Sequence, residues 1–134
     1  MLSLATWMRV AGVLYLAMCA ASLKGVPIRA EGPSGALERA STGDPTARFL
    51  VNTWVALGVL LGVLGAALLY FSRTPDDARA LAWTVVGVEL AWGIPVDVFK
   101  IIRGQKKAPS IVWILIHAAV GSAGLQALGV FGAS

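Results

Sequence analysis

Arg9, Glu89, Asp97 and His117 stand out in this sequence because each lies within or close to a long apolar run. Glu89 and Asp97 belong to VVGVELAWGIPVDVFKIIRG, residues 85–104, a stretch that otherwise reads as membrane-spanning. A charged carboxylate at the centre of a bilayer costs about 2.5–3.5 kcal/mol even on insertion scales, so such a group is expected to be paired or used. At roughly 100° per helical residue, Glu89, Gly93, Val96, Asp97 and Lys100 fall within an arc of about 100°, and that stripe is expected to face protein. His117 is the only histidine and Cys19 the only cysteine, which excludes a histidine-rich metal site, an internal disulfide and a CxxC pair. No nucleophile elbow, phosphate-binding glycine loop or zinc-ligand spacing occurs. No metal and no cofactor is therefore expected, and the sequence assigns no catalytic residue.

Depth along the helices suggests partners. At about 1.5 Å per residue, Glu89 lies about 15 Å from the side of the membrane that holds the termini, and Arg9 about 10 Å from the same side. The expectation is a structural ion pair, Arg9 with Glu89. From the opposite side Asp97, Asn52 and His117 all lie about 10–12 Å deep, with Arg48 and Lys100 just above them and able to snorkel. These three, with Trp92, are the expected ligand-binding residues. The plainer readings are Asp97 paired with Arg48 or Lys100, and His117 as a satisfied buried side chain.

Four apolar stretches must position these groups: residues 2–23, 49–71, 80–102 and 110–131. Each approaches the ~20 residues that cross a bilayer as a helix. The chain is 57% hydrophobic and only 13% charged, with a mean hydropathy of +0.77; a soluble domain carries about 25% charge. Residues 1–134 are expected to form one all-α domain, an antiparallel four-helix transmembrane bundle with a long first loop. The first run also has the basic, apolar and small-residue order of a signal peptide, but it is nearly long enough to span. Helix starts are marked by Asp44–Pro45, by Thr74–Pro75 with Asp76 and Asp77, and by Pro109, since proline and acids suit a first turn. The first connection, about Lys24 to Asp44, contains Pro27 and Pro33, and its SGALERAS segment can form a short surface helix. The net charge of +4 reflects Lys and Arg in loops more simply than nucleic-acid binding. Counting them places loops one and three in the cytoplasm, with Arg9 arguing the other way.

Within the second run Gly58 and Gly62 form GxxxG, which permits close helix approach inside the chain or between copies. Pro95 removes a helical hydrogen bond and is expected to kink the third run. His117 shares a face with Gly121, Gly124 and Leu128, whereas Ser122 and Gln126 point nearly opposite. Trp7, Trp54 and Trp83 suit interfacial anchoring. Cys19 reads as a small packing residue.

TWMRVAGVLYL, RFLVNTWVALGVLLGVLGAALLYFSR, LAWTVVGVELAWGIPVDVFKIIRG and WILIHAAVGSAGL together resemble the BphX-like and DUF4345-type small four-helix membrane proteins. The likeness covers most of the chain outside loop one, and its most specific parts are WMRV, GIPVD and the IH of the fourth run. It implies a four-span protein, in all expectation of a bacterial cytoplasmic membrane, in which Arg9, Glu89, Asp97 and His117 matter together; it implies no reaction. Three functions compete. One is binding of a lipid or an apolar or aromatic small molecule within the bundle, anchored by a few polar groups. The second is proton-coupled transport using Glu89. The third is isomerase-type acid–base catalysis by Glu89 or Asp97 with His117. The expected partners are membrane lipid, that small molecule and a second copy through the second or fourth run, with no nucleic acid.

Overall fold

The computed structural model describes residues 2–24, 35–104 and 107–130, and all regular structure among them is helical. The elements are α1 (Leu4–Leu23), α2 (Ala36–Ser41), α3 (Pro45–Phe71), α4 (Arg79–Gly87), a π-helical turn (Val88–Gly93), α5 (Ile94–Ile102) and α6 (Lys107–Ala127). Pro27, Arg29, Pro33 and Lys106 lie outside the described residues. Three helices are each long and apolar enough to cross a membrane: α1, α3 and Ser110–Ala127 of α6. The expected third span is helical from Arg79 to Ile102, but as three consecutive segments rather than one uniform α-helix.

Local chemistry explains the ends. Asp44 Oδ1 accepts from the backbone N–H groups of Thr46 (2.9 Å) and Ala47 (3.1 Å), so it caps α3 with Pro45 as the first helical residue. Ser3 does the same for α1 through Thr6 N–H, at 3.1 Å. The Thr74–Ala78 stretch does not begin a helix as expected. Asp77 and Ala78 donate to the carbonyls of Thr74 and Pro75, three residues back, and α4 starts only at Arg79. Gly43 and Gly129, at φ +101° and +83°, end α2 and α6 in left-handed conformations suited to glycine. After α6, Val130 N–H bonds Leu125 C=O and Gly129 N–H bonds Gln126 C=O, the paired pattern of such an ending.

The chain divides into two compact units, one of residues 11–69 and one of residues 1–10 with 70–134. Within residues 11–69, the rest of α1 and most of α3 pack antiparallel through glycines. Built Cβ atoms would lie 2.8 Å from Ser22 Cβ at Gly58, 2.8 Å from Cys19 Sγ at Gly62, and 2.8 Å from Gly12 O at Gly65. The GxxxG face is thus used inside the chain, and Cys19 is a packing residue there. Gly65→Ala presses on a backbone carbonyl that cannot swing aside and is expected to destabilise by about 1–3 kcal/mol. Gly87→Ala meets nothing within 4 Å and is expected to stabilise by about 0.5–1 kcal/mol as a better helix former. Unfolding of both variants in mixed micelles, followed by circular dichroism, checks the contrast in sign.

In the other unit, α6 runs antiparallel to α4, the π turn and α5. Gly93 faces His117, Leu90 faces Gly121 and Val86 faces Gly124, each at a distance that leaves no room for a Cβ. Arg79 Nη2 donates to Leu128 C=O at 2.8 Å, closing the end of that pair. Trp7 is not an interfacial anchor: it is 2% exposed, lies against Gly124, and donates Nε1–H to Val120 C=O at 3.0 Å. An indole buried in this way needs a partner for its N–H, and the glycine makes the helix carbonyl reachable. The outer surface is apolar, with Val10, Phe49, Val63, Tyr70, Ile102 and Leu115 all largely exposed. Such a surface suits lipid rather than water.

Candidate functional site

The buried residues from Ala82 to Asp97 are Ala82, the adjacent Val85 and Val86, Glu89, Gly93 and Asp97, recurring every three or four residues on one helical face. Two of the six are carboxylates. At roughly 100° per residue, eight α-helical steps leave Glu89 and Asp97 about 80° apart. A π-helical turn, bonded i to i+5, is wider, so each of its residues turns less. Placing that turn between the two acids brings them close to one line, one helical level above and one below Gly93.

The cause of the wider turn is at hand. Pro95 has no N–H to give, and its ring would clash with the Ala91 carbonyl in a regular α-helix. The backbone opens at Val88–Gly93, and Ile94 N–H reaches back to the Glu89 carbonyl. Sequence reasoning expected a kink at Pro95; the distortion is a π turn that realigns two acidic side chains.

His117 of α6 stands level with Gly93, between the acids. Its Nδ1 is 2.6 Å from Glu89 Oε2, and its Nε2 is 3.6 Å from Asp97 Oδ2. Lys100 Nζ donates to Asp97 Oδ1 at 2.7 Å. Side-chain exposure is 5% for Glu89, 16% for His117 and 5% for Asp97, then rises to 42% for Lys100. The glycine is what admits the ring: a Cβ on Gly93 would lie 2.6 Å from His117 Nδ1 and 2.7 Å from Cγ. Trp113, one turn before His117, holds its ring 6.1 Å from the imidazole, tilted by 33°.

Sequence depth placed Asp97 and His117 in one layer, and the structure brings them together. It also brings in Glu89, which was expected in a separate layer with Arg9. Arg9 instead directs Nε to Ser72 Oγ at 3.4 Å, and the expected Arg9–Glu89 pair gives way to Glu89–His117. The reason is azimuth rather than depth. The buried stripe of α1 is Leu4, Trp7, Met8, Ala11 and Tyr15, and Arg9 falls beside it on the exposed flank with Val10. Of the cations expected near Asp97, Lys100 takes it, while Arg48 Nε donates to Ala40 C=O at 3.2 Å. Asn52 is exposed on α3, in the other unit, and Trp92 is 56% exposed on the π turn.

Sequence reasoning missed the Glu89–His117 contact, although a signal was present. Glu89, Gly93 and Asp97 follow one another at four-residue spacing, and on the antiparallel neighbour a histidine precedes Gly121 by four. A gap at the middle of one helix opposite a long polar side chain on the next allows one ring to serve both acids.

Among the described residues, no group of three His, Cys, Asp or Glu side chains is arranged to hold a metal ion. The arrangement suits proton handling. Imidazole has two ring nitrogens that donate and accept in turn, and here each faces a carboxylate. No protein-family model, curated protein or solved structure matches the chain.

Proposed function

We propose that this chain is a four-span antiparallel membrane protein that couples proton exchange at Glu89, His117 and Asp97 to the movement of a small, largely apolar molecule. The observation that carries the reading is one imidazole held between two buried carboxylates on an apolar helix pair. Ionisable groups at membrane depth are rare and characteristically mark proton relays and ion paths. With a neutral imidazole, the Glu89, Asp97 and Lys100 side chains leave one formal negative charge; a further ring proton cancels it. A fixed lipid-binding site lined by Asn52 and Trp92 has less support, because both side chains are exposed. The fourth span is the continuous helical run Arg79–Ile102. The likeness to BphX-like and DUF4345-type proteins, carried by the sequence motifs alone, adds a bacterial cytoplasmic membrane to this reading.

The test begins with mass spectrometry of small molecules that co-purify in mild detergent, followed by uptake of the labelled compound into proteoliposomes. Uptake is expected to follow an imposed pH gradient and to fall at least tenfold in Glu89→Gln, a modest share of what positioned acid–base groups contribute. Uptake that ignores the gradient, or that Glu89→Gln leaves intact, overturns the proposal.

A further inference from the structure

The end of α5 carries a second set of charged groups, on its outer surface. After Asp97 the sequence holds Lys100, Arg103, Lys106 and Lys107 and no further acid. Lys100 and Arg103 are three residues apart, so they are neighbours on the helix surface, and like charges at that spacing repel. Asp97 compensates only the first. Lys100 Nζ donates to Asp97 Oδ1 at 2.7 Å, yet the lysine side chain stays half-exposed, and an ammonium has three N–H groups to give. Arg103 is exposed just past the last residue of α5, where Gly104 turns the chain at φ +75°. Its guanidinium carbon lies 5.0 Å from the centre of the Phe99 ring, and among the described residues no oxygen accepts from its side-chain N–H groups. Phe99 itself, one turn deeper, is exposed, as are Val98 and Ile102. Unused cationic donors therefore sit directly beside exposed apolar side chains.

We infer that the phosphate of an anionic phospholipid binds between Lys100 and Arg103, with an acyl chain along Phe99, and that this lipid shares Lys100 with Asp97. Guanidinium presents phosphate with parallel N–H donors, and ammonium adds a compact charge. A headgroup of net negative charge offsets the uncompensated cation at Arg103; a zwitterionic headgroup brings a cation of its own and does not. The apolar neighbours favour a lipid over a soluble anion, because Phe99, Val98 and Ile102 meet its hydrocarbon. Lys100 keeps one N–H on Asp97 and directs the others to phosphate oxygens, and no proton or covalent bond is transferred. Asp97 Oδ2 in turn lies 3.6 Å from His117 Nε2. A headgroup that draws on Lys100 is therefore felt at the imidazole through Asp97. The lipid site depends on the proposed function only in that Arg79–Ile102 spans the membrane, and it adds a partner that proton exchange does not require.

The full chain in maltoside micelles, given equal amounts of phosphatidylglycerol and phosphatidylcholine, is read by native mass spectrometry for the lipid it retains. A basic residue at an anionic surface contributes about fivefold in binding, so two give phosphatidylglycerol a preference of roughly twenty-five-fold. Arg103→Gln, which removes an exposed side chain, is expected to lower that preference about fivefold, the share of one basic residue, and to leave the circular dichroism unchanged. Equal retention of the two lipids by the wild-type chain overturns the site, as does a preference that Arg103→Gln leaves intact. Excess inorganic phosphate is expected not to displace the lipid; displacement overturns the assignment to a lipid in favour of a free anion. Because His117 is the only histidine, ¹⁵N-histidine labelling in nanodiscs follows the link to Asp97. Its signals are expected to shift between phosphatidylcholine and phosphatidylglycerol nanodiscs, and to shift less in Arg103→Gln. Identical signals in both lipids overturn the sharing of Lys100. Preferential retention without gradient-driven uptake keeps this site and removes the transport function. Uptake without preferential retention does the reverse.

Discussion

His117→Ala is expected to destabilise the protein by about 3 kcal/mol, the upper end of the cost of taking a hydrogen-bond partner from a buried polar group. The imidazole is a close partner of Glu89 at 2.6 Å and stands 3.6 Å from Asp97. Deleting it withdraws a donor from two carboxylates that are each only 5% exposed, although Asp97 keeps Lys100. Pairing His117→Ala with Glu89→Gln should cost clearly less than the sum of the two single changes, because a neutral amide tolerates the vacated site better than a carboxylate. Arg9→Met combined with Glu89→Gln should couple more weakly than His117 with Glu89, since Arg9 directs Nε to Ser72 and coupling is strongest between residues in direct contact. Unfolding in graded dodecyl sulfate and maltoside micelles, followed by circular dichroism, measures both cycles. Additivity of His117 with Glu89, or a stronger coupling of Arg9 than of His117 with Glu89, would return the pairing to the one read from depth alone.

Gly93→Ala is expected to be nearly as severe although it adds one methyl group. That methyl would sit 2.6–2.8 Å from three atoms of the His117 ring, well inside contact distance. Overpacking alone costs about 1–3 kcal/mol. The ring cannot move away without loosening its hydrogen bond to Glu89, which adds about 1–3 kcal/mol for a buried polar group losing a partner. Helix propensity works the other way, since alanine is a better helix former than glycine by about 1 kcal/mol, so a net loss isolates the steric effect. Gly87→Ala, six residues earlier in the same helical run and facing open space, is the matched control. The ¹⁵N signals of His117 should shift in the Gly93 variant and stay in place in the Gly87 variant. An undisturbed His117 signal in Gly93→Ala would mean that the ring does not occupy the space this glycine leaves.

The sequence alone determined the elements and their solvent. Apolar runs of spanning length leave a helix no alternative in lipid, because every backbone N–H and C=O must then be satisfied within its own segment. Asp44 with Pro45 marked the start of α3 correctly, since capping is a contact between near neighbours in the chain. The inward stripe of Glu89, Gly93 and Asp97 was legible for the same reason, as was the shared face of His117, Gly121, Gly124 and Leu128: helical phase is local arithmetic. Tertiary structure decided which of these faces meet and at what angle. Arg9 and Glu89 were well matched in depth, yet the packing of Trp7 and Met8 turned Arg9 toward Ser72. Depth follows from counting residues along one helix, whereas azimuth depends on how two helices rotate to bury their largest side chains. The π turn changed the arithmetic again. Pro95 announces that the helical ladder must break, but whether it bends, tightens or widens is settled by what packs beside it. Here the turn widens at a glycine facing His117, and the single imidazole meets both acids.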